Sequence, residues 1–246
     1  MKLYGLIGYP LGHSFSKEYF TEKFKRENLS DCSFEAFPIP TIEEFDAVIK
    51  NNPALKGLGV TIPYKEQVLQ FVDELSDEVK SIGATNSIRI SNNKRIAYNT
   101  DIAGFERSFC KQLKAHHKKA LVLGAGGASK AVQYVLRKLG IDFLVVVRNE
   151  KTADNFIHYK QVSEQIISEY LVIINCTPVG MFPNEHTAPD IPYELLTSQH
   201  YLYDLVYKPK KTIFLQMGEA VGAATENGYE MLIIQAEESW KIWNLD

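Results

Sequence analysis

The chain reads as an α/β protein in two domains with mainly parallel sheets. Three observations predict this. Short apolar runs alternate with amphipathic stretches almost throughout. A glycine-rich turn joins one such run directly to a helical pattern at residues 120–140. At 246 residues, the chain is long enough for two modest cores.

The elements follow in order. Residues 3–9 form a first strand, broken by Gly8 and Pro10 and so unlike a signal peptide. Residues 17–28 have helical spacing, and Thr41-Ile42-Glu43-Glu44 has the form of a capping box opening a helix to about Asn51. GLGVTI (57–62) is a short buried strand, with Pro63 suited to the first turn of a following helix. TNSIRI and RIAYN read as a hairpin around Ser91-Asn92-Asn93. The second half gives strands at 120–123, 143–147, 171–177 and 201–207, and a last helix from near Gly228 to near Trp243. Trp240 and Trp243 are three apart on that helix and should pack inward. His116 and His117, beside Lys118 and Lys119, read as a solvated helix end.

Composition excludes several classes. A net charge of -3 gives no field for nucleic acid or an anionic membrane, and no run approaches the roughly 18 apolar residues of a membrane span. Cys32, Cys110 and Cys176 are odd in number and far apart, against a disulfide framework or a metal site and in favour of a reducing cytoplasm.

The sharpest motif is Gly124-Ala125-Gly126-Gly127-Ala128-Ser129, between a strand and a helix. Gly124 permits the tight turn, Gly126 lets backbone approach a pyrophosphate, and small Ser129 keeps helix and strand close. The helix N-terminus supplies N–H groups and partial positive charge. A Rossmann-like dinucleotide domain follows from this context. The next strand ends at Val147-Arg148, where an NAD site normally places an acid for the ribose hydroxyl. A guanidinium there matches a 2′-phosphate, which favours NADP; Glu150, turned toward the ribose, would reverse that preference.

In the first half, Lys65 follows a strand, Asn86 opens one, and Asp101 closes one. Ketone reduction needs a hydride, which a nicotinamide supplies, and a proton, which a positioned lysine can supply. A neighbouring aspartate would orient the ammonium and favour its charged form. Each residue also has a plain reading: Lys65 as solvated surface, Asp101 as a helix N-cap, Asn86 as a turn residue.

Together these blocks resemble the shikimate dehydrogenase family. GYPLGHSFS resembles its N-terminal substrate motif, GVTIPYK its NVTIPHK, GATNSI its GAVNTI and NTDIAGF its NTDGxGF. INCTPVGM resembles INATPxGM, DLVYKP resembles DxVYNP, and NGYEMLIIQA resembles NGxxMLxxQA, all in order along nearly the whole chain. Gly59, Tyr9 and Ile102 depart from the family pattern, as does Val147 before Arg148.

The resemblance implies an N-terminal α/β substrate-binding and catalytic domain from residues 1–101 plus 228–246. A Rossmann NADP-binding domain would span 102–227, with a cleft between the two. It implies NADPH-dependent reduction of 3-dehydroshikimate to shikimate, in chorismate biosynthesis, by a cytoplasmic monomer or homodimer. Lys65 and Asp101 would be catalytic. Ser14, Ser16 and Tyr207 would hold the substrate carboxylate; Thr61, Asn86, Asp101 and Gln235 would hold its ring oxygens. The cofactor would meet Gly124, Ala125, Gly126, Gly127, Ala128, Arg148, Asn149 and Thr177, with Leu205, Gly228 and Asp77 toward the nicotinamide. A quinate/shikimate dehydrogenase using NAD, and a non-catalytic dinucleotide sensor, are the alternatives. The sensor has no need for Ser14, Ser16, Lys65, Asp101 and Gln235 together.

Overall fold

A computed structural model describes residues 1–12, 15–148 and 154–245. The chain divides into two compact units, Met1–Thr100 with Gln235–Asp246, and Asp101–Ile234.

The first unit opens with β1 (Lys2–Gly8) and α1 (Phe15–Arg26). Phe20 and Phe24, one turn apart, form the buried stripe of α1, which starts and stops two residues earlier than its periodicity suggests. Asn28, at φ +56°, closes the helix, and the Leu29 N–H bonds back to the Phe24 carbonyl at 2.9 Å. Then come β2 (Cys32–Pro38), α2 (Phe45–Asn51), β3 (Leu55–Val60), β4 (Glu74–Leu75), α3 (Asp77–Ile82), β5 (Ser87–Ser91) and β6 (Lys94–Tyr98). The expected capping box at Thr41 is not made: one turn of 3₁₀ helix, Ile42–Glu44, precedes α2, and the Thr41 side chain does not cap it. Its hydroxyl goes to the Glu43 carboxylate, which is held below the usual range by its own backbone N–H and by that hydroxyl.

The sheet runs β2-β1-β3-β5-β6-β4. Its first three strands are parallel, β3 and β5 antiparallel, and β4 joins β6 in parallel. The β5–β6 hairpin turns on Asn92 and Asn93, both at positive φ, as a two-residue loop with the native twist requires. Trp240 and Trp243 pack inward as expected, with ring centroids 5.0 and 5.6 Å from that of Tyr4.

The second unit carries α4 (Asp101–Phe109), β7 (Lys119–Leu123), α5 (Gly127–Lys138), β8 (Asp142–Val147), β9 (Phe156–His158), α6 (Glu164–Glu169), β10 (Val172–Asn175), β11 (Tyr201–Asp204), α7 (Ile213–Ala220), β12 (Ala224–Asn227) and the start of α8 (Tyr229–Trp243). Its six strands, in the order β9-β8-β7-β10-β11-β12, are all parallel. This is the 3-2-1-4-5-6 order of a doubly wound dinucleotide fold, which reverses between β7 and β10. Leu121, Leu123, Val146, Ile173 and Leu202 form one core cluster with Phe214 of α7. His117 corrects a sequence expectation. It lies in a turn before β7, 2% exposed, its ring stacked on Tyr201 at 5.8 Å. Among the described residues, no helix is long and apolar enough to cross a membrane.

Candidate active site

In the first unit, β3 runs out at Val60 and the chain turns through residues 61–66. Thr61 donates its N–H to the Ile7 carbonyl at 3.0 Å and accepts from the Tyr64 N–H at 2.9 Å. Lys65 is half-buried in this turn, two residues ahead of a 3₁₀ helix at Gln67–Phe71 rather than inside a helix. The turn is anchored by Tyr64, whose buried hydroxyl donates to the Ile39 carbonyl at 2.6 Å. The Lys65 carbonyl accepts from the Thr85 N–H at 2.8 Å, which sets the lysine's backbone beside the residue before Asn86.

Asn86 and Thr100 are both buried and share a dense set of bonds. The Thr100 N–H and hydroxyl reach Asn86 Oδ1 at 2.7 and 3.2 Å. Asn86 Nδ2 donates to Thr100 Oγ1 at 3.0 Å and to Gln235 Oε1 at 3.3 Å. Thr100 Oγ1 also meets Ser239 Oγ at 2.9 Å. Buried amides are fixed in orientation when their donors and acceptors are engaged in this way. Asn86 is therefore more than a turn residue: it joins the end of the β5–β6 hairpin to α8. Ser16 is the second residue of α1 and half-buried. Asp77 opens α3 exposed to solvent, its carboxyl lowered by Lys80 at 2.9 Å.

Asp101 opens the second unit, buried, as the first helical residue of α4. It therefore stands inside the helix rather than at the N-cap, where its charge favours the first turn. Ser14, Asn149 and Glu150 lie outside the described residues.

The glycine loop has the form a phosphate cradle needs. Gly124 follows β7 at φ +99°, and a Cβ there would lie 2.8 Å from Thr177 Cγ2. Gly126 is exposed at the N-cap of α5, where no side chain caps the helix, and a Cβ there would meet nothing within 4 Å. Gly127 and Ala128 are the first helical residues; behind them Ser129 is buried and accepts from Gln133 Nε2 at 3.0 Å. The open space before Gly126 and the uncapped first turn of α5 fit a pyrophosphate. Arg148 is exposed in the bend after β8. Its charge draws down the Tyr159 hydroxyl, which burial pushes up to about 12.

Across the reversal of strand order, Thr177, Leu205 and Gly228 follow β10, β11 and β12. Gly228 is a close approach, because a Cβ there would lie 2.2 Å from the Leu205 carbonyl oxygen. Tyr207 stands two residues beyond Leu205, half-buried.

Two further residues hold these loops. Asn175, at the end of β10, accepts from the Thr177 N–H and hydroxyl at 3.0 and 2.6 Å. It donates to Asp204 Oδ1 at 3.0 Å. Asp204, at the end of β11, also accepts from the Val206 N–H at 3.0 Å and from the Thr212 hydroxyl at 2.6 Å. Neither is among the site residues expected from sequence, although each is a polar residue closing a buried strand within a recognisable block, which is the available signal. A surface groove of about 710 Å³ lined by Lys17, Phe24, Asn28 and Phe34 contains none of the candidate residues.

The family model described as "Shikimate dehydrogenase substrate binding domain" matches residues 6–88. A relative from Caldicellulosiruptor saccharolyticus, named shikimate dehydrogenase (NADP(+)), is 37% identical over 259 residues, covering 98% of this chain and 91% of that protein. The crystal structure of shikimate dehydrogenase from Aquifex aeolicus superposes with a TM-score of 0.88 at 33% identity, covering 99% of this chain and 92% of the other. The Thermus thermophilus enzyme, solved in complex with NADP(H) and shikimate, gives 0.86 at 29% identity, covering 99% and 94%.

Proposed function

Since the chain belongs to the shikimate dehydrogenase family, we propose that it reduces 3-dehydroshikimate to shikimate, reversibly, with NADPH as the hydride donor. The observation that carries the reading is the hydrogen-bonded convergence of Asn86, Thr100 and Gln235, on a chain whose second unit is a six-stranded dinucleotide sheet with an open glycine loop.

A reduced nicotinamide, when bound, would supply the hydride for the ring ketone carbon. The Lys65 ammonium gives its proton to the carbonyl oxygen, and in the reverse direction the neutral amine takes the alcohol proton. The Asp101 carboxylate favours the ammonium form and orients it. Ser14, Ser16 and Tyr207 bind the substrate carboxylate, while Thr61, Asn86, Asp101 and Gln235 bind ring oxygens. Such a polar lining selects a polyhydroxylated acid, because a poorer substrate leaves buried groups unpaired. The glycine loop, Arg148, Asn149, Thr177, Leu205, Gly228 and Asp77 hold NADP. The first unit is the substrate side and the second the cofactor side. We place the enzyme in the cytoplasm, as a monomer or homodimer, which suits three free cysteines.

The test is absorbance at 340 nm with shikimate and quinate crossed against NADP and NAD. Shikimate with NADP should give the highest kcat/KM. Lys65→Ala should lower turnover by about 10²–10⁴ and leave NADPH binding nearly unchanged. Near-full turnover in that variant would remove Lys65 from the mechanism.

A further inference from the structure

We infer that the buried carboxylate of Asp204 discriminates between the redox states of the cofactor, favouring the oxidised, cationic nicotinamide over the reduced, neutral ring. The inference rests on the second unit being the NADP-binding side.

In a sheet of this order the two halves divide the dinucleotide, with the pyrophosphate crossing where the order reverses. The glycine loop and Arg148 belong to the β7–β9 half, which leaves the β10–β12 half for the nicotinamide. Asp204 closes β11 in that half and immediately precedes Leu205. The backbone around it is fixed: the Leu205 N–H donates to the Asn175 carbonyl at 3.0 Å, and the Gly228 N–H to the Val206 carbonyl at 3.3 Å.

The bonding needs an acceptor there but does not need a charge. Asp204 is 0% exposed, and its partners are a backbone N–H, a carboxamide and a hydroxyl, all dipoles and no cation. A neutral asparagine could accept the same two bonds at its Oδ1. Burial raises the carboxyl to about 6 against the pull of Thr212, the Val206 N–H and Asn175, so the charge is kept at neutral pH at some expense of stability. A buried charge is little screened by salt, and among the described residues no cation is a hydrogen-bond partner of this carboxylate. An incoming positive ring therefore meets a site already prepared for it, while the reduced ring does not draw on that charge.

The experiment measures Kd for NADP⁺ and NADPH separately by calorimetry on the full chain. Asp204→Asn should weaken NADP⁺ by about 3- to 10-fold and leave NADPH within about twofold. Thr212→Val removes the hydroxyl's bonds to Asp204 and to the Leu215 N–H but at pH 8 leaves the carboxyl charged, so there the ratio of the two Kd values should stay at the wild-type value. Equal weakening of both forms in Asp204→Asn, or an equal change of ratio in Thr212→Val, would overturn the inference in favour of a purely structural role. Should Asp204→Asn fail to fold, the wild-type ratio is followed from pH 8 to 5.5, where it should shift toward NADPH as the carboxyl takes a proton. Among the described residues, Cys176 and Tyr193 feel the Asp204 charge, are pushed up by burial and stay neutral over that range. The 2′-phosphate is common to both forms and cancels. A flat ratio would overturn the inference. Wild-type protein that binds neither form would sink the cofactor reading itself, whereas binding without shikimate turnover would sink only the substrate assignment.

Discussion

Asn86 donates from its side-chain amide to Gln235 Oε1 at 3.3 Å, joining residues 149 positions apart in the chain. The bond is one end of a relay through Thr100 to Ser239. A hairpin end and a C-terminal helix are thereby held in one register, although neither is near the other in sequence.

Thr100→Val keeps the backbone bond to Asn86 Oδ1 but removes the hydroxyl that Asn86 Nδ2 and Ser239 use. The expected loss is about 1–3 kcal/mol, the usual range for stranding buried polar partners, read by urea unfolding. The KM for shikimate should rise more than kcat falls. Thr100→Ser should recover most of both, and a fully stable Thr100→Val would show the relay to be incidental.

Gly124 and Gly126 separate stability from cofactor binding. Gly124→Ala forces a side chain into φ +99° with its Cβ 2.8 Å from Thr177 Cγ2, and should cost about 1–3 kcal/mol. Gly126 has φ -81° and open space before it, so Gly126→Ala should change stability by only about 0.5 kcal/mol. It would stand where a pyrophosphate approaches, and NADPH affinity should fall about tenfold, roughly 1.4 kcal/mol. Unchanged affinity in a folded Gly126→Ala protein would move the phosphates elsewhere.

Arg148 is exposed at the end of the strand next to the glycine loop's own. If its guanidinium pairs with the 2′-phosphate, Arg148→Ala should cost about 1.5–3 kcal/mol in kcat/KM with NADP and almost nothing with NAD. Equal losses with both cofactors would contradict that pairing.

The strands not legible in the sequence share one property. β2, β4, β9 and β12 are the four edges of the two sheets. An edge strand is buried on fewer sides, so its apolar pattern is short or absent. Of the residues in these four strands, Phe34 alone is buried. The interior strands β3, β7, β8, β10 and β11 announced themselves because burial on both faces demands continuous apolar runs. The same reasoning separates the site residues. Gly124 and Gly126 could be read locally, since a strand, a turn and a helix N-terminus lie within one short segment. The Asn175–Asp204 bond could not, because it depends on two strands 29 residues apart lying side by side in register. His117 departs from its local sequence for a related reason: its flanking lysines suggest solvent, but its ring is taken up by Tyr201 and Gln199 from another part of the chain.

That histidine, with His200, should make the fold acid-labile. His117 Nδ1 accepts from the Lys114 N–H at 3.0 Å, and its Nε2 sits 3.1 Å from the Gln199 carbonyl. His200 repeats the pattern, with Nδ1 accepting from the Thr197 N–H at 3.0 Å and Nε2 3.1 Å from the Ile167 carbonyl. At His117 the neutral ring with its proton on Nε2 satisfies each nitrogen, and a second proton on Nδ1 would face an N–H; at His200 the Thr197 oxygens also lie 3.1 and 3.3 Å from Nδ1, and burial is what disfavours the charged ring. Burial lowers both rings below the ordinary histidine value of 6.5. The unfolded chain therefore takes up these protons first as pH falls. Stability is fully present above about 6.5 and is lost below it, by at most about 1.4 kcal/mol per pH unit for each ring. Asp204 acts with the opposite sign: its raised folded-state value, about 6, favours the fold as the carboxyl is protonated, and offsets part of the loss. Urea unfolding at pH 7, 6 and 5 should show a decline that His117→Asn and His200→Asn each make shallower. Equal slopes in both variants and the wild type would show that neither buried ring takes part in acid unfolding.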